Sequence, residues 1–198
     1  MSLYGLVLSS GWASGINLYA VVAMLGIAGR LGLADVPSDL ERIEVLAVAG
    51  ALYAVEFVVD KIPWLDSAWD VVHTAIRPVG AAAVALVLAG DATSLEQAML
   101  TAGGGLFGLA AHAAKASVRA AVNTSPEPAS NILVSLLEDV VVAGVVALAL
   151  AAPEVALIIA LVLTITSLTV AALLVATLRT AWRRLLERRR ERARRTRV

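Results

Sequence analysis

Long apolar runs alternate with short polar stretches along this chain of 198 residues. Residues 1–29 contain no charged side chain, and residues 155–178 form a second uncharged run. About 20 consecutive apolar residues are enough for a helix to cross the hydrocarbon core of a bilayer. These two runs therefore predict two membrane-spanning helices, one near each end of the sequence.

The apolar runs between these two are shorter, and ionisable or helix-breaking residues interrupt them. Residues 45–55 are followed by Glu56, and Pro63 ends the predicted second helix. Residues 65–77 predict a short helix that ends at Pro78. The remaining predicted spans are residues 79–90, a run from residue 98 that turns polar at residue 112, and a run from residue 132 that Glu138 and Asp139 interrupt. We therefore predict an all-α fold, a polytopic membrane helix bundle of about six transmembrane helices with some broken or short.

The first predicted span has an unusual polar centre, with the sequence SSGWASGIN. Gly11 and Gly15 are spaced so that a second helix can approach closely. The same small and polar residues would alternatively let the helix unwind locally, with Asn17 at the break. Gly104 and Gly108 repeat the spacing in the second half of the chain. This repetition leaves open a duplication into two three-helix repeats of inverted topology.

Composition favours a membrane protein over a soluble domain. The chain is 60% hydrophobic with a mean hydropathy of +0.84, whereas soluble domains are about 45–50% apolar. It contains no cysteine, which excludes disulfides, thiolate metal sites and cysteine nucleophiles. The sequence has no G-x-S-x-G, no H-E-x-x-H and no phosphate-binding glycine loop, so no enzymatic activity is predicted.

The formal net charge of zero conceals an uneven distribution. Residues 179–198 hold ten arginines and two glutamates, whereas acids are in excess over residues 1–178. We predict a transmembrane domain over residues 1–178 and a cytoplasmic arginine-rich tail over residues 179–198. Anionic lipids, rather than a nucleic acid, are the expected partner of this tail. The expected location is a cytoplasmic membrane, and six spans would place both termini on the cytoplasmic side.

Two groups of ionisable side chains fall inside or beside the predicted spans. Glu56 and Asp60 lie one helical turn apart, with Lys61 next to them. Glu138 and Asp139 stand within the fifth predicted span. A charge at the bilayer centre costs roughly 2.5–3.5 kcal/mol on insertion scales, so such residues usually face a bundle interior or a water-filled cavity. Two interpretations remain open: a site for a proton, ion or solute, or ion pairs that only hold helices together.

A third group lies on the short helix that follows Pro63. Asp66, Asp70 and His73 share one face of it. Two carboxylates and an imidazole would suit a divalent cation such as Mn²⁺ or Zn²⁺. The alternative is an amphipathic helix on the membrane surface, with its tryptophans as interface anchors. A bound monovalent or divalent cation is the only cofactor that the sequence suggests.

A fourth group lies in the fourth predicted span, where His112, Lys115 and Arg119 share one helix face. They are expected to act as counter-charges to the acids or to bind an anion such as phosphate. The loop that follows holds residues typical of helix ends, namely Asn123, Ser125 and Glu127.

These groups favour a small integral membrane transporter or ion-conducting protein with an intramembrane acid/base site, coupled to protons or to a cation. One alternative is a lipid flippase or scramblase in which Lys115 and Arg119 hold a phosphate headgroup. Another is a membrane scaffold protein that transports nothing and uses its charges only to lock helices together. The glycine-rich faces of a small bundle also suggest a homodimer.

Several long motifs resemble those of a known family. ASGINLYA, LYAVEFVVDKIPWLDSAWDVVHTAIRP, HAAKASVRAAVNTSPEPASN and LLEDV are similar to a bacterial membrane family catalogued as domain of unknown function 4126. The resemblance covers nearly the whole chain except the arginine-rich tail. It implies an integral membrane protein with polar motifs at these positions, and it implies no particular activity.

Overall fold

The computed structural model describes residues 2–124 and 127–195. These residues form six helices and no strand, which confirms the predicted all-α fold. In chain order the helices are α1 (Leu3–Arg30), α2 (Ile43–Val59), α3 (Leu65–Ala89), α4 (Ser94–Val122), α5 (Pro128–Ala151) and α6 (Pro153–Arg195). Four of them, α1, α3, α5 and α6, are long and apolar enough to cross a membrane. The chain is therefore a membrane helix bundle, although six complete spans are not seen.

The helix predicted to end at Pro78 instead continues through it. α3 is a single helix with Pro78 inside, so the predicted short helix and the predicted third span are one element. Away from water, a broken helix would leave further backbone groups without partners, so the remaining helical hydrogen bonds are kept. A Cβ at Gly105 would lie only 3.2 Å from the Pro78 carbonyl oxygen. This glycine therefore gives α4 room beside the proline.

Glycines let α1 lie directly against α4. A Cβ on Gly11 would come within 2.7 Å of the Cα of Gly104, and a Cβ on Gly15 would overlap the Gly108 carbonyl oxygen. The two glycine pairs predicted from the sequence therefore pack against each other. Since the contact moves in the same direction along both helices, the first half of α1 runs parallel to α4.

The directions of the other long helices follow from similar contacts. Ala85 of α3 lies beside Gly104, and Ala81 lies beside Gly108, so α3 runs antiparallel to α4. At the far end of α4, Asp66 binds Asn123 and also Asn131 near the start of α5. The end of α4 and the starts of α3 and α5 are therefore at the same end of the bundle.

α6 begins at the opposite end of the bundle, beside the start of α1. A Cβ on Gly5 would overlap the Pro153 carbonyl oxygen. α6 then runs in the same direction as the first half of α1, because Trp12 of α1 bonds Ser167 of α6 further along both helices. We call the end that holds Leu3 the N-terminal end, and the end where α6 leaves the bundle the tail end.

α1 is also broken at Asn17, so both features that the sequence suggested, close packing at the glycines and a local break, are present. Asn17 has extended backbone angles (φ −148°, ψ 94°) inside an otherwise helical segment. Its Oδ1 accepts the N–H of Ala20 at 3.0 Å, which caps the helix that follows. α1 therefore consists of two half-helices, residues 3–16 and residues 18–30.

α2 runs in the same direction as α4, toward the tail end. Glu56 pairs with Lys115 of α4. One turn later, Asp60 reaches Arg119, which is one turn further along α4. Only residues 60–64 separate α2 from α3. Such a short connection is typical of antiparallel helices. It agrees with α2 running parallel to α4 and α3 running antiparallel to it.

The second half of α1 lies along α2 in the opposite direction and returns toward the N-terminal end. Gly26, near the end of α1, packs against Leu46, near the start of α2. Leu18, just after the break, lines a cavity together with Leu52, further along α2. A segment that enters and leaves a membrane from one side is tolerated only where protein surrounds it. Accordingly, 67% of the apolar window of α1 is buried, against 33% or less for the other three candidate spans.

The described chain therefore crosses between the two ends of the bundle with α2 to α6 only, while α1 makes a hairpin. The start of α1 and the end of α6 lie at opposite ends of the bundle. The prediction of six complete spans with both termini on one side is therefore not confirmed. The predicted pair of three-helix repeats is not seen either, because α1 is broken and turns back whereas α4 is continuous.

The interior changes from apolar to charged along the bundle. Toward the N-terminal end, α3 buries Ala81, Val84 and Leu88. In its other half, α3 buries only titratable side chains, and Arg77 is the last of them before Pro78. α4 shows the same division, with buried small and apolar residues up to Ala111 followed by His112, Lys115 and Arg119. The hydrophobic core thus occupies the N-terminal half, and buried charge occupies the tail half.

We expect Gly15→Ala to destabilise the bundle, because its new methyl group must push α1 away from the Gly108 carbonyl. Overpacking of this kind typically costs about 1–3 kcal/mol. Gly144→Ala is the matched control, since a Cβ there meets nothing within 4 Å and alanine is the better helix former. Thermal unfolding followed by circular dichroism in detergent should show a lower Tm for Gly15→Ala alone. Equal Tm values for the two variants would contradict the close α1–α4 packing.

Candidate functional site

Eight charged side chains at the tail half of the bundle join into one continuous set of ion pairs, which we call the ionic network. Its members are Glu56, Asp60, Asp66, Asp70, Arg77, Lys115, Arg119 and Glu138. Every one of these side chains is at most 15% exposed. Each has a partner of opposite sign, which is the condition under which charges are tolerated in a membrane interior.

Arg77 connects α3 to α2 and α4. Its Nη2 donates to Glu56 Oε1 at 2.6 Å, and its Nη1 lies 3.1 Å from Asp70 Oδ1. Nη1 also donates to Nδ1 of His112 at 3.0 Å. A guanidinium can only donate, so this Nδ1 must be an acceptor. The ring hydrogen of a neutral His112 is then on Nε2, 3.2 Å from Thr74 Oγ1.

Lys115 is the most highly connected member of the network. Its Nζ lies 2.6 Å from Asp60 Oδ2, 3.3 Å from Glu56 Oε1 and 3.5 Å from Glu138 Oε2. It also donates to the backbone carbonyl of Ile16 at 3.1 Å. One ammonium thus ties α1, α2, α4 and α5 together.

The break in α1 is what makes the Ile16 carbonyl available to Lys115. In a continuous helix this oxygen would accept the N–H of Ala20. That N–H instead donates to the side chain of Asn17. A single asparagine therefore both caps the second half of α1 and directs a free backbone acceptor toward the charges.

Arg119 extends the network toward the tail end. Its Nη2 donates to Glu138 Oε2 at 2.6 Å, and its Nη1 donates to the backbone carbonyl of Asp60 at 2.7 Å. Nη1 also lies 3.5 Å from Asp66 Oδ2. Since Asp60 immediately follows α2, this arginine binds the free carbonyl at the end of that helix.

The prediction of a surface helix carrying Asp66, Asp70 and His73 is wrong. These side chains are buried, with residue exposures of 0%, 3% and 2%. α3 enters the bundle from its first turn because Asp66 is held there by the amides of Asn123 and Asn131, at 2.8 and 3.1 Å. The amphipathic pattern of this segment therefore faces buried charges rather than the water–lipid boundary.

Asp66, Asp70 and His73 do not converge on one point. His73 binds the Tyr19 hydroxyl at 3.0 Å and the Trp69 carbonyl at 2.8 Å. Asp66 and Asp70 have other partners, and neither binds the histidine. Across residues 2–124 and 127–195, no group of three or more His, Asp or Glu side chains is arranged to hold a metal ion. The predicted divalent-metal site is therefore not seen among the described residues.

Two of the predicted site residues lie beside the network rather than in it. Lys61 donates to the Phe57 carbonyl at 2.8 Å and to Ser135 at 3.2 Å, and its ammonium lies over the Phe57 ring. Asp139 accepts from the side chain of Asn17 at 3.4 Å. Lys61 therefore links the end of α2 to α5. Asp139 links α5 to the break in α1.

The loop residues predicted to cap helices have different environments. Asn123 is buried and reaches Asp66 and Ser67. Glu127 is exposed and precedes α5 without a side-chain capping bond. Ser125 lies outside the described residues.

Three residues of the site were not among the predicted site residues. Helical spacing does place Arg77 four residues after His73, on the face that carries Asp66 and Asp70. Thr74 and Asn131 are ordinary polar residues, and nothing in the sequence distinguishes them from surface residues. Their roles appear only when α3, α4 and α5 are packed together.

The network holds more negative than positive groups. Five carboxylates face three cations. His112 accepts a hydrogen bond from one of those cations, Arg77, whereas His73 binds Tyr19 outside the network. Buried oxygens without a hydrogen bond include Glu56 Oε2, Asp60 Oδ1 and Asp70 Oδ2. Uncompensated buried charge is costly, so the excess must be neutralised by protons or by a bound cation. The excess of carboxylates makes the network chemically suited to binding a positive charge.

An apolar groove reaches this network from the side. It has a volume of about 380 Å³ and lies between α1, α4, α5 and α6. Trp12, Val118, Val141 and Leu163 are among its walls. Lys115 and Glu138 line it as well, and they are its only ionisable lining residues among those described. The charged interior of the bundle is therefore not sealed.

Comparison with known proteins places the chain in a family. The family described as domain of unknown function (DUF4126) matches residues 5–177 of the chain. The chain belongs to this family. The match includes every member of the ionic network and ends before the arginine-rich tail. No curated protein and no solved structure matches the chain.

We expect Lys115→Met to be the most destabilising single change in the network of this DUF4126 protein. It leaves three buried carboxylates without their shared cation, and breaking a buried ion pair typically costs about 3–5 kcal/mol. Lys61→Met is the control, because Lys61 is partly exposed and makes no ion pair within 4 Å among the described residues. The measurement is thermal unfolding in detergent for both variants.

A double variant tests whether unpaired charge is the cause of the loss. Adding Asp60→Asn to Lys115→Met removes one of the orphaned carboxylates and should recover part of the lost stability. If the double variant is less stable than Lys115→Met by the full cost of Asp60→Asn alone, the two side chains are not coupled.

Proposed function

We propose that this DUF4126 protein is a small secondary transporter or ion-conducting protein in which the ionic network binds a proton or a small cation. The observation that carries this proposal is the charge balance of the network. Five buried carboxylates share three cations, and several of their oxygens lack a hydrogen-bond donor. Such a site takes up and releases positive charge without unpairing every group at once.

The broken first helix supports the same proposal. Secondary transporters commonly place coupling-ion sites at discontinuous helices, where unwound carbonyls contribute to binding. Here the break at Asn17 exposes the Ile16 carbonyl to Lys115. When a proton or cation neutralises Glu56 or Asp60, the attraction that holds the Lys115 ammonium between them becomes weaker. Lys115 can then shift toward Glu138 and the groove, which couples binding to movement of a side chain shared by four helices.

A phosphate-binding flippase has less support. Arg119 is fully buried and Lys115 is 3% exposed, and both already pair with carboxylates. A phosphate would have to displace those carboxylates from a network that is already too negative. A pure scaffold also has less support, because its charges would be expected to pair completely and to be closed off from any cavity.

The charge distribution supports an orientation in the membrane. The tail end holds Lys61 and the arginine-rich continuation of α6. The N-terminal end holds Arg30 and Arg42 among seven acids, which are Asp35, Asp39, Glu41, Glu44, Asp91, Glu96 and Glu154. Positive residues favour the cytoplasmic side. We therefore place the tail end in the cytoplasm of a bacterium and the start of α1 on the opposite side of its cytoplasmic membrane.

The transport proposal is tested with purified protein in liposomes that contain a pH-sensitive dye. We expect protein-dependent proton movement after a pH or cation gradient is imposed. Glu56→Gln should reduce the rate at least about tenfold, since a tenfold change corresponds to only about 1.4 kcal/mol and Glu56 contacts both Arg77 and Lys115. Glu154→Gln is the matched control, because Glu154 is exposed at the start of α6.

No proton or cation movement by wild-type protein would refute the transport proposal. It would also be refuted if Glu56→Gln and Glu154→Gln, both folded by circular dichroism, moved protons at the same rate as the wild type.

The orientation is tested with single cysteines, since the chain has none of its own. Ser94→Cys marks the N-terminal end, Thr124→Cys marks the tail end and Ser2→Cys reports the start of α1. A membrane-impermeant maleimide added to intact cells should label Ser2→Cys and Ser94→Cys but not Thr124→Cys. If Ser2→Cys is protected from the reagent in the same way as Thr124→Cys, α1 crosses the membrane.

A further inference from the structure

We propose that the groove between α1, α4, α5 and α6 binds a lipophilic organic cation, with its charge beside Glu138 and its apolar body along the helix walls. This inference rests on the proposed function, because it names the substrate class of the same site. The lining of the groove, the exposure of Glu138 and the charge balance of the network each support a cationic ligand.

The groove has the size and lining of a small-molecule site. Its volume of about 380 Å³ falls within the range of about 300–1,000 Å³ that is usual for ligand pockets. Its walls are mostly aliphatic side chains, such as Val134 and Val141 of α5 and Leu163 and Val170 of α6. A hydrated inorganic ion would find almost no oxygen ligands there. An organic molecule with a large apolar part fits this lining much better.

Glu138 is the member of the network that a ligand in the groove can reach. Its side chain is 15% exposed, whereas the other seven are 6% exposed or less. Its hydrogen bond to Arg119 and its contact with Lys115 both involve Oε2. Its Oε1 makes no ion pair within 4 Å among the described residues, and Glu138 lines the groove.

The charge of the ligand follows from what the neighbouring groups already bind. Lys115 has three carboxylates and a carbonyl around its ammonium, so it has no donor to spare for an anion. The network as a whole carries two more acids than cations. A positive ligand beside Glu138 relieves that excess, whereas a negative ligand adds to it.

Trp12 gives the groove a further preference for cations. It lines the same space, and its Nε1 is held by Ser167 at 3.3 Å. Indole rings attract organic cations through the negative face of the ring. Binding of the cation would also compete with protons for the network, since both neutralise the same carboxylates.

Two probes of the same shape and opposite charge test this inference. Wild-type protein in phosphatidylcholine nanodiscs is dialysed to equilibrium against labelled tetraphenylphosphonium or tetraphenylborate. Uptake by empty nanodiscs is subtracted from each measurement. We expect saturable binding of tetraphenylphosphonium, about one per chain or less, and no saturable binding of tetraphenylborate.

Two matched variants locate the binding. Val141→Trp fills the groove, whereas Val140→Trp changes the neighbouring residue, which is 68% exposed and does not line it. We expect Val141→Trp to weaken tetraphenylphosphonium binding at least about tenfold and Val140→Trp to leave it unchanged. Glu138→Gln should weaken binding of the cation while leaving the groove intact.

The inference is overturned if wild-type protein binds no tetraphenylphosphonium above empty nanodiscs, or if tetraphenylborate binds equally well. It is also overturned if Val141→Trp binds like Val140→Trp. These results are independent of the liposome assay. Glu56-dependent proton movement without cation binding would remove only this inference, whereas cation binding without any proton or ion movement would remove only the transport proposal.

Discussion

The ammonium of Lys115 is the interaction on which the rest of the structure depends. A buried cation needs several acceptors, and Lys115 finds them on three other elements: Glu56 and Asp60 at the end of α2, Glu138 on α5 and the Ile16 carbonyl of α1. Because it is 3% exposed, water cannot replace any of these partners. The positions of three other elements are therefore set by one charge on α4.

Different interactions hold the helices together in the two halves of the bundle. Toward the N-terminal end, small residues such as Gly11 and Gly104 allow backbones to touch, and packing holds the helices together. Toward the tail end, ion pairs hold them. α1 serves both halves, because its first segment packs on α4 and its break at Asn17 supplies a carbonyl to the charges.

The sequence predicted which charged residues lie together better than it predicted the topology. Glu56, Asp60, Lys115, Arg119 and Glu138 were identified because a membrane span makes every charge expensive, and all five meet in the network. The hairpin in α1 was not predicted, since an uncharged run of 29 residues is compatible with one straight span. Pro78 was misjudged because a proline ends helices in water more often than in a tightly packed membrane interior. Thr74 and Asn131 could be found only from packing.

The central claim is that the network carries uncompensated negative charge that a proton or a cation neutralises. Infrared spectroscopy of the purified wild-type protein, combined with elemental analysis for bound metal cations, tests it most directly. We expect either a protonated carboxyl C=O band that weakens in Glu56→Gln or Asp60→Asn, or a stoichiometric bound cation. A protein with every carboxyl ionised and no bound cation would contradict the claim.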